Sequence, residues 1–185
     1  MNKRGAAMFL ALFRGKDWVG MRTVKVEKLS LEAFKPFGSF ADMLKPSGEK
    51  MGAPPIEFFR DMVQLDLGGA TTASFSICRV KSRPAVVDVT EFHTSTGEGI
   101  LPLDNPVLIH VAPAGPNDEV PLSKIRIFSV PRGTLVSLKP GVWHHAPFTA
   151  GKGAANVLIV LPERTYANDC NVEMLAEAER VTFRK

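Results

Sequence analysis

Residues 133–148 read GTLVSLKPGVWHHAPF, and how this stretch folds decides the rest of the chain. Residues 134–138 have the composition of a short strand, Pro140-Gly141 is a tight-turn pair, and two adjacent histidines, His144 and His145, follow Trp143. Proline fixes φ and glycine tolerates positive φ, so the pair reverses the chain and sends the next strand back along the first. The histidines therefore begin a strand, in which successive side chains point to opposite faces. At most one of them looks into a closed sheet, while the other looks out or across an edge. The turn alone does not say which.

Working outward, similar segments recur at residues 62–67, 73–80, 85–93, 107–112, 124–130 and 156–161. They are separated by Gly68-Gly69, Arg83-Pro84, Asn105-Pro106, Gly115-Pro116, Pro131-Arg132-Gly133 and Gly151-Lys152-Gly153. Short strands at regular spacing with Gly/Pro turns predict an all-β sandwich or barrel. Residues 23–27 alternate like an edge strand, and Ser30 with Glu32 and Phe34 marks the start of a short N-terminal helix. Residues 38–55, rich in Gly, Pro, Lys and Ser, read as a long surface loop. An amphipathic C-terminal helix is expected over residues 172–180.

Composition sets the outer bounds. A chain of 185 residues, 45% hydrophobic, suits a single globular domain. Of the formal charge of +4, most sits in the first twenty residues, where Lys3, Arg4, Arg14 and Lys16 face Asp17 alone. The remainder lacks the clustered basic surface that a nucleic-acid partner requires. The apolar run at residues 6–13 imitates a signal peptide, yet Arg14 and Lys16 follow it directly, and it falls short of the roughly 20 residues that span a bilayer. Residues 1–20 are therefore read as an appended leader, with a single domain over 21–185 and no membrane partner. Cys78 and Cys170 lie far apart without CxxC spacing, which fits a reduced, cytoplasmic protein.

Alternation places the polar residues. Within residues 85–93, Val87, Val89, Glu91 and His93 share one face, and the two valines make it the candidate interior, with Glu91 and His93 at a barrel's mouth. Within residues 73–80, Phe75, Ile77 and Arg79 share a face, putting Arg79 at the end of an apolar row. A buried arginine needs an anion, so it is a structural ion-pair partner or a carboxylate clamp, with Arg83 as its rival. Glu98 lies between Gly97 and Gly99 and is either a site residue or a solvated turn residue. Trp143 is core or pocket wall. His110, sharing a face with Leu108 and Ala112, is expected to be a satisfied histidine away from the mouth.

Glu91-Phe92-His93, followed by Glu98 and Asn105, resembles the first cupin motif. Gly133 followed by Lys139 to His144 resembles the second, whose histidine completes a metal site inside a β-barrel. Three departures stand out: Glu91 occupies the first histidine position, Asn105 the turn glycine and Phe148 the usual asparagine. Two histidines with one or two carboxylates still suit a divalent metal, since imidazole favours Zn, Ni or Fe and carboxylate favours Mg or Mn.

A closer resemblance covers nearly all of residues 21–185. LSLEAFKPFG (29–38), ICRVKSRP with Arg79, the E-x-H at 91–93, the W-H-H-x-x-F at 143–148 and NDCNVE (168–173) are similar to the ureidoglycolate lyase family, a branch of the cupins. One position departs: Glu98 stands where Gln is expected, an added carboxylate that strengthens metal binding or marks a subfamily with another substrate. The resemblance implies a jelly-roll-like cupin β-barrel (a double-stranded β-helix) forming a homodimer. It also implies that ureidoglycolate is cleaved to glyoxylate and urea in purine and allantoin nitrogen catabolism.

Such a reaction needs the carbinol hydroxyl deprotonated, the leaving nitrogen protonated and the developing carbonyl steadied. A divalent ion (Ni, Zn, Mn or Fe) on His93, Glu98 and His144 would bind the hydroxyl and carboxylate oxygens. His145 or Glu91 would move the proton, and Arg79 or Arg83, beside Trp143, would hold the small carboxylate substrate. Two further readings stay open: another metal-dependent cupin enzyme on a small carboxylated substrate, and a non-catalytic cupin that binds a small acid.

Overall fold

The computed structural model describes residues 21–184, so the expectation of a leader over residues 1–20 lies outside the described residues. One sheet has six strands in the spatial order β12 (Phe148–Thr149), β9 (Val107–Val111), β10 (Arg126–Val130), β1 (Arg22–Lys28), β15 (Val181–Arg184) and β6 (Val86–Val87). The other has five, in the order β2 (Gly38–Asp42), β11 (Thr134–Leu138), β8 (Glu98–Pro102), β13 (Ala155–Pro162) and β5 (Ala73–Val80). Every pair in the second sheet is antiparallel. In the first, β1 runs parallel to both of its neighbours, β10 and β15. Two small ribbons complete the architecture: β3 (Lys50–Ala53) with β4 (Ile56–Phe59), and β7 (Val89–Phe92) with β14 (Asn171–Met174).

The period-two pattern that makes a strand half-buried is clearest in β13, where Ala155, Val157, Ile159 and Leu161 are buried and their neighbours are less so. These four meet Ile100, Val136 and Leu138 from the same sheet and Val107, Ile109, Val111 and Phe128 from the other, forming the core between the sheets. A second cluster covers the opposite face of the six-stranded sheet, with Leu108, Ala112, Ile127, Phe148, Val181, Phe183 and Trp143. Strand β9 is thus buried on both faces, which is why VLIHV is nearly continuously apolar. Ser30 caps the helix α1 (Leu31–Phe34) by accepting from the Ala33 N–H at 3.2 Å, and Phe34 at its end is fully buried against Phe128.

Several expectations change. The only C-terminal α-helix among the described residues is α2 (Thr165–Asn168), upstream of residues 172–180. That stretch is instead strand β14, which pairs with β7 in the register Val172↔Glu91, followed by a 3₁₀ turn. Ladder partners on β7 outweigh the helical periodicity. The expected strand over 85–93 breaks at Asp88 because its two halves serve different partners, β15 and β14. Residues 38–55 contain β2 and β3 rather than a continuous loop. Residues 62–67 are not a strand; they tie down by side chains, with Ser137 Oγ donating to the Gln64 carbonyl and Thr96 Oγ1 to that of Asp66.

Candidate active site

The Pro140-Gly141 turn forms as read. Val142 N–H closes it onto the Lys139 carbonyl, and Gly141 has φ 77°, a conformation that favours glycine. Beyond the turn the chain makes no full strand but two isolated bridges, Trp143 to Ala112 and His144 to Glu91. The second bridge sets His144 beside the E-x-H segment through Glu91 N–H to the His144 carbonyl and the reciprocal bond at 2.8 Å. Alternation then sends Trp143 the other way. Its indole is buried in the second cluster, 4.5 Å from the Phe92 ring, so the assignment of Trp143 to substrate binding gives way to a packing role.

Glu98 reaches the same place from β8. Ile100, two residues on, belongs to the core between the sheets, so Glu98 faces the interior at one end of the barrel. The solvated-turn alternative fails, because the residue is 5% exposed. Its neighbour Gly97 is dictated by space: a Cβ there would lie 2.3 Å from the Leu138 carbonyl oxygen.

Glu91, His93 and His144 are all buried, and one ligand atom from each lies within 4.8 Å of the others. Glu98 Oε2 is 3.1 Å from His93 Nε2 and 3.1 Å from His144 Nε2. The far side of each ring is already committed: His93 Nδ1 bonds the Asp169 carbonyl at 2.7 Å, and His144 Nδ1 bonds the Val142 carbonyl at 2.8 Å. A carbonyl only accepts, so both Nδ1 atoms carry protons and both Nε2 atoms are turned to the carboxylate. Burial would raise the Glu98 carboxyl, but the two histidines outweigh it and hold it down to about 2. Burial likewise opposes a charge on His144, and the Glu98 carboxylate reverses this, raising its pKa.

Hydrogen bonds from both Nε2 atoms would require two buried imidazolium ions around Glu98 and Glu91. One divalent cation satisfies the same nitrogens and balances the same two carboxylates, using donors of a type suited to Zn, Fe, Ni or Mn. The set fits: Glu91, His93 and His144 could hold a metal, and the Glu98 carboxylate lies against both Nε2 atoms.

Other sequence-assigned residues lie elsewhere. Arg79 does share a face with Phe75 and Ile77, but that face is outward: Phe75 is 69% exposed and Arg79 is exposed beside it. The apolar row is on the solvent side of edge strand β5, so Arg79 is not brought to the cluster. Arg83 donates through Nη2 to the Ala146 and Pro147 carbonyls and stacks 3.9 Å over the Phe148 ring, tying down the segment after the histidines. His145 is half-buried, and among the described residues its Nδ1 has no partner. Burial lowers its pKa. His110 is fully buried and not fully satisfied: Nε2 meets Thr90 Oγ1 at 3.1 Å, while Nδ1 has no partner among the described residues.

Sequence reasoning missed the contribution of residues 165–171. Cys170 Sγ donates to Glu91 Oε2 at 3.3 Å, and burial together with that carboxylate pushes its thiol up to about 12, keeping it a protonated donor. Tyr166, the chain's one tyrosine, sets its ring 6.2 Å from that of His93, edge to face. Burial and the nearby Glu98 and Glu91 carboxylates raise its pKa and keep the phenol neutral. The NDCNVE signature pointed to this segment without saying what it touches.

Two curled sheets closed over a core, with histidines and carboxylates gathered inside one end, define a cupin-type barrel with a candidate metal site. The Ureidoglycolate lyase family model matches residues 21–182, and the chain belongs to that family. It is 32% identical to the ureidoglycolate lyase of Burkholderia mallei (strain NCTC 10229), over 71% of this chain and 78% of the relative. The ureidoglycolate lyase of Pseudomonas syringae pv. tomato is 29% identical over 88% of this chain and 96% of its own. Among solved structures, an oxalate decarboxylase from Bacillus subtilis, studied for its Mn(II) centres, overlaps 56% of this chain and 24% of its own, with 15% identity and a TM-score of 0.40. No helix among the described residues is long and apolar enough to cross a membrane.

Proposed function

We propose that this chain is a ureidoglycolate lyase that eliminates urea from ureidoglycolate to leave glyoxylate, with a divalent metal held by His93, His144 and Glu98. The observation that carries the reading is the pair of imidazoles whose Nδ1 atoms are spent on backbone carbonyls and whose Nε2 atoms meet on one buried carboxylate. When bound, the metal supplies Lewis acidity at the carbinol hydroxyl and the substrate carboxylate.

The protein's own groups do the rest. Glu91 has one oxygen bonded by the Cys170 thiol, and the other, with no hydrogen-bond partner among the described residues, would accept the hydroxyl proton. As that proton leaves, the hydroxyl oxygen's electrons form the glyoxylate carbonyl, the carbon–nitrogen bond breaks, and Glu91 returns the proton to the departing ureido nitrogen. Atoms and charge balance with one carboxylate as carrier. His145, with no bond to the cluster, is the less direct carrier, and Arg79, on the outer face, does not reach the cluster of its own chain.

The same reading carries a homodimer in the cytoplasm. Phe75 and Ile77, exposed on the eight-residue edge strand β5, offer an apolar row that a second copy would cover. Glu98 in place of the expected Gln favours a second reading, a related metal enzyme acting on another small carboxylated substrate.

Metal analysis of the purified protein followed by incubation with ureidoglycolate tests the proposal. Release of urea and glyoxylate in equal amounts, lost on chelation and restored by metal, is the expected result. Metal content without release would select the second reading.

A further inference from the structure

We infer that Asp169 is the positioning residue that orients His93 toward the metal, an inference that rests on the reading of His93 as a ligand. Each polar group of Asp169 is engaged. Its N–H donates to the Thr165 carbonyl at 2.8 Å, closing α2. One carboxylate oxygen accepts the Thr94 N–H at 2.7 Å and the other the Ser95 N–H at 2.8 Å. Its carbonyl accepts from His93 Nδ1 at 2.7 Å.

The geometry forms a closed loop: His93 runs into Thr94 and Ser95, these hold the Asp169 side chain, and the Asp169 carbonyl returns to the His93 ring. The carboxylate therefore fixes the direction of the carbonyl, and the carbonyl fixes which ring nitrogen bears the proton. A ring flip of His93 would set Cδ2 against that carbonyl and Cε1 toward Glu98, losing both nitrogen contacts. For His144 the equivalent acceptor is the Val142 carbonyl, two residues away in the same turn. His93 instead borrows its acceptor from a segment 76 residues downstream, so the side-chain anchor is what makes that carbonyl dependable.

Asp169→Ala removes both anchoring bonds. Asp169→Asn keeps the shape but sets its amide NH₂ against one of the two backbone N–H donors. Two measurements read the outcome. In the metal-free full chain, long-range ¹H–¹⁵N spectra report whether His93 Nδ1 is protonated. The wild type is expected to show a protonated, slowly exchanging Nδ1–H, and both variants an averaged signal with rapid exchange. Mn²⁺ or Zn²⁺ affinity, measured by chelator competition, should fall about 10- to 100-fold in the alanine variant and less in the asparagine variant.

An unchanged His93 Nδ1 signal in a folded variant, with unchanged metal affinity, overturns the inference and leaves Asp169 as a loop tie. If alanine at 169 unfolds the protein, the isosteric asparagine carries the same two measurements. If the wild type binds no metal while the Nδ1 signal still responds to substitution, the metal reading fails and the orienting role stands.

Discussion

Strands β5 and β7 look alike in sequence and do opposite things. Each runs through an apolar row to a polar residue: Phe75, Ile77 and Arg79 in one, Val87, Val89, Glu91 and His93 across β6 and β7 in the other. In β7 Glu91, with His93 just beyond it, points into the buried site, while Val87, across the break at Asp88, packs in the second cluster; in β5 the row points outward and ends in solvent. Alternation says which residues share a face, but not which face is the interior. That second fact is set by neighbours. Strand β5 is an edge whose partner β13 buries Val157 and Ile159, leaving Phe75 and Ile77 on the far side with Val160 and Leu158.

The largest test of the contrast lies on the inward row. His144→Ala and Glu98→Ala should each lower metal affinity more than about 100-fold, beyond the loss expected from an outer hydrogen-bond partner, with turnover lost alongside. Elemental analysis and chelator competition read this directly. Retained metal in both would mean the cluster is a proton-sharing network.

Glu91→Gln should instead keep the metal and reduce kcat by about 10²- to 10⁴-fold, the usual worth of a positioned proton carrier. If the metal leaves with Glu91 and stays with Glu98 substituted, the two carboxylates exchange roles.

His110 sharpens the comparison from another side, since its row is buried but faces the second cluster. Burial, with the neighbouring His144 and His145, pulls its pKa well below the ordinary 6.5, so the folded protein keeps it neutral. The unfolded chain binds that proton first as pH falls, so stability is complete above pH of about 6.5 and declines below it, by up to about 1.4 kcal/mol per pH unit for this group. Denaturant melts of wild type and His110→Gln across pH 5–8 should differ in slope there. Parallel slopes would place the unfolding-linked proton elsewhere.

The smallest effect belongs to Arg79→Ala. An exposed residue away from the cluster should change KM for ureidoglycolate by less than about twofold and the unfolding free energy by less than about 0.5 kcal/mol. A KM rise of about tenfold or more would mean that another copy of the chain folds this outer face into a site.

Much of the site was legible because its signals are local. Strands β5 and β11 keep the bounds read for them, the Pro140-Gly141 turn needs only those two residues, and E-x-H sets Glu91 and His93 on one side. What escaped depends on distant contacts. Residues 171–174 become strand because β7 has an open edge there. The roles of Asp169 and Cys170 exist only where the chain returns to His93 and Glu91. Glu98 sat between two glycines that read as a turn, although Gly97 is small because the Leu138 carbonyl passes so close.

The parallel placement of β1 between β10 and β15 also sets an order of events. Arg22 pairs with Val181, so the first strand among the described residues is flanked by the last. Closing such distant ends is slow in entropic terms, and the edge of β1 stays open until residues 181–184 arrive. Until residues 181–184 are in place the half-built sheet presents that edge to any other strand nearby, so misassembly by strand pairing would start there.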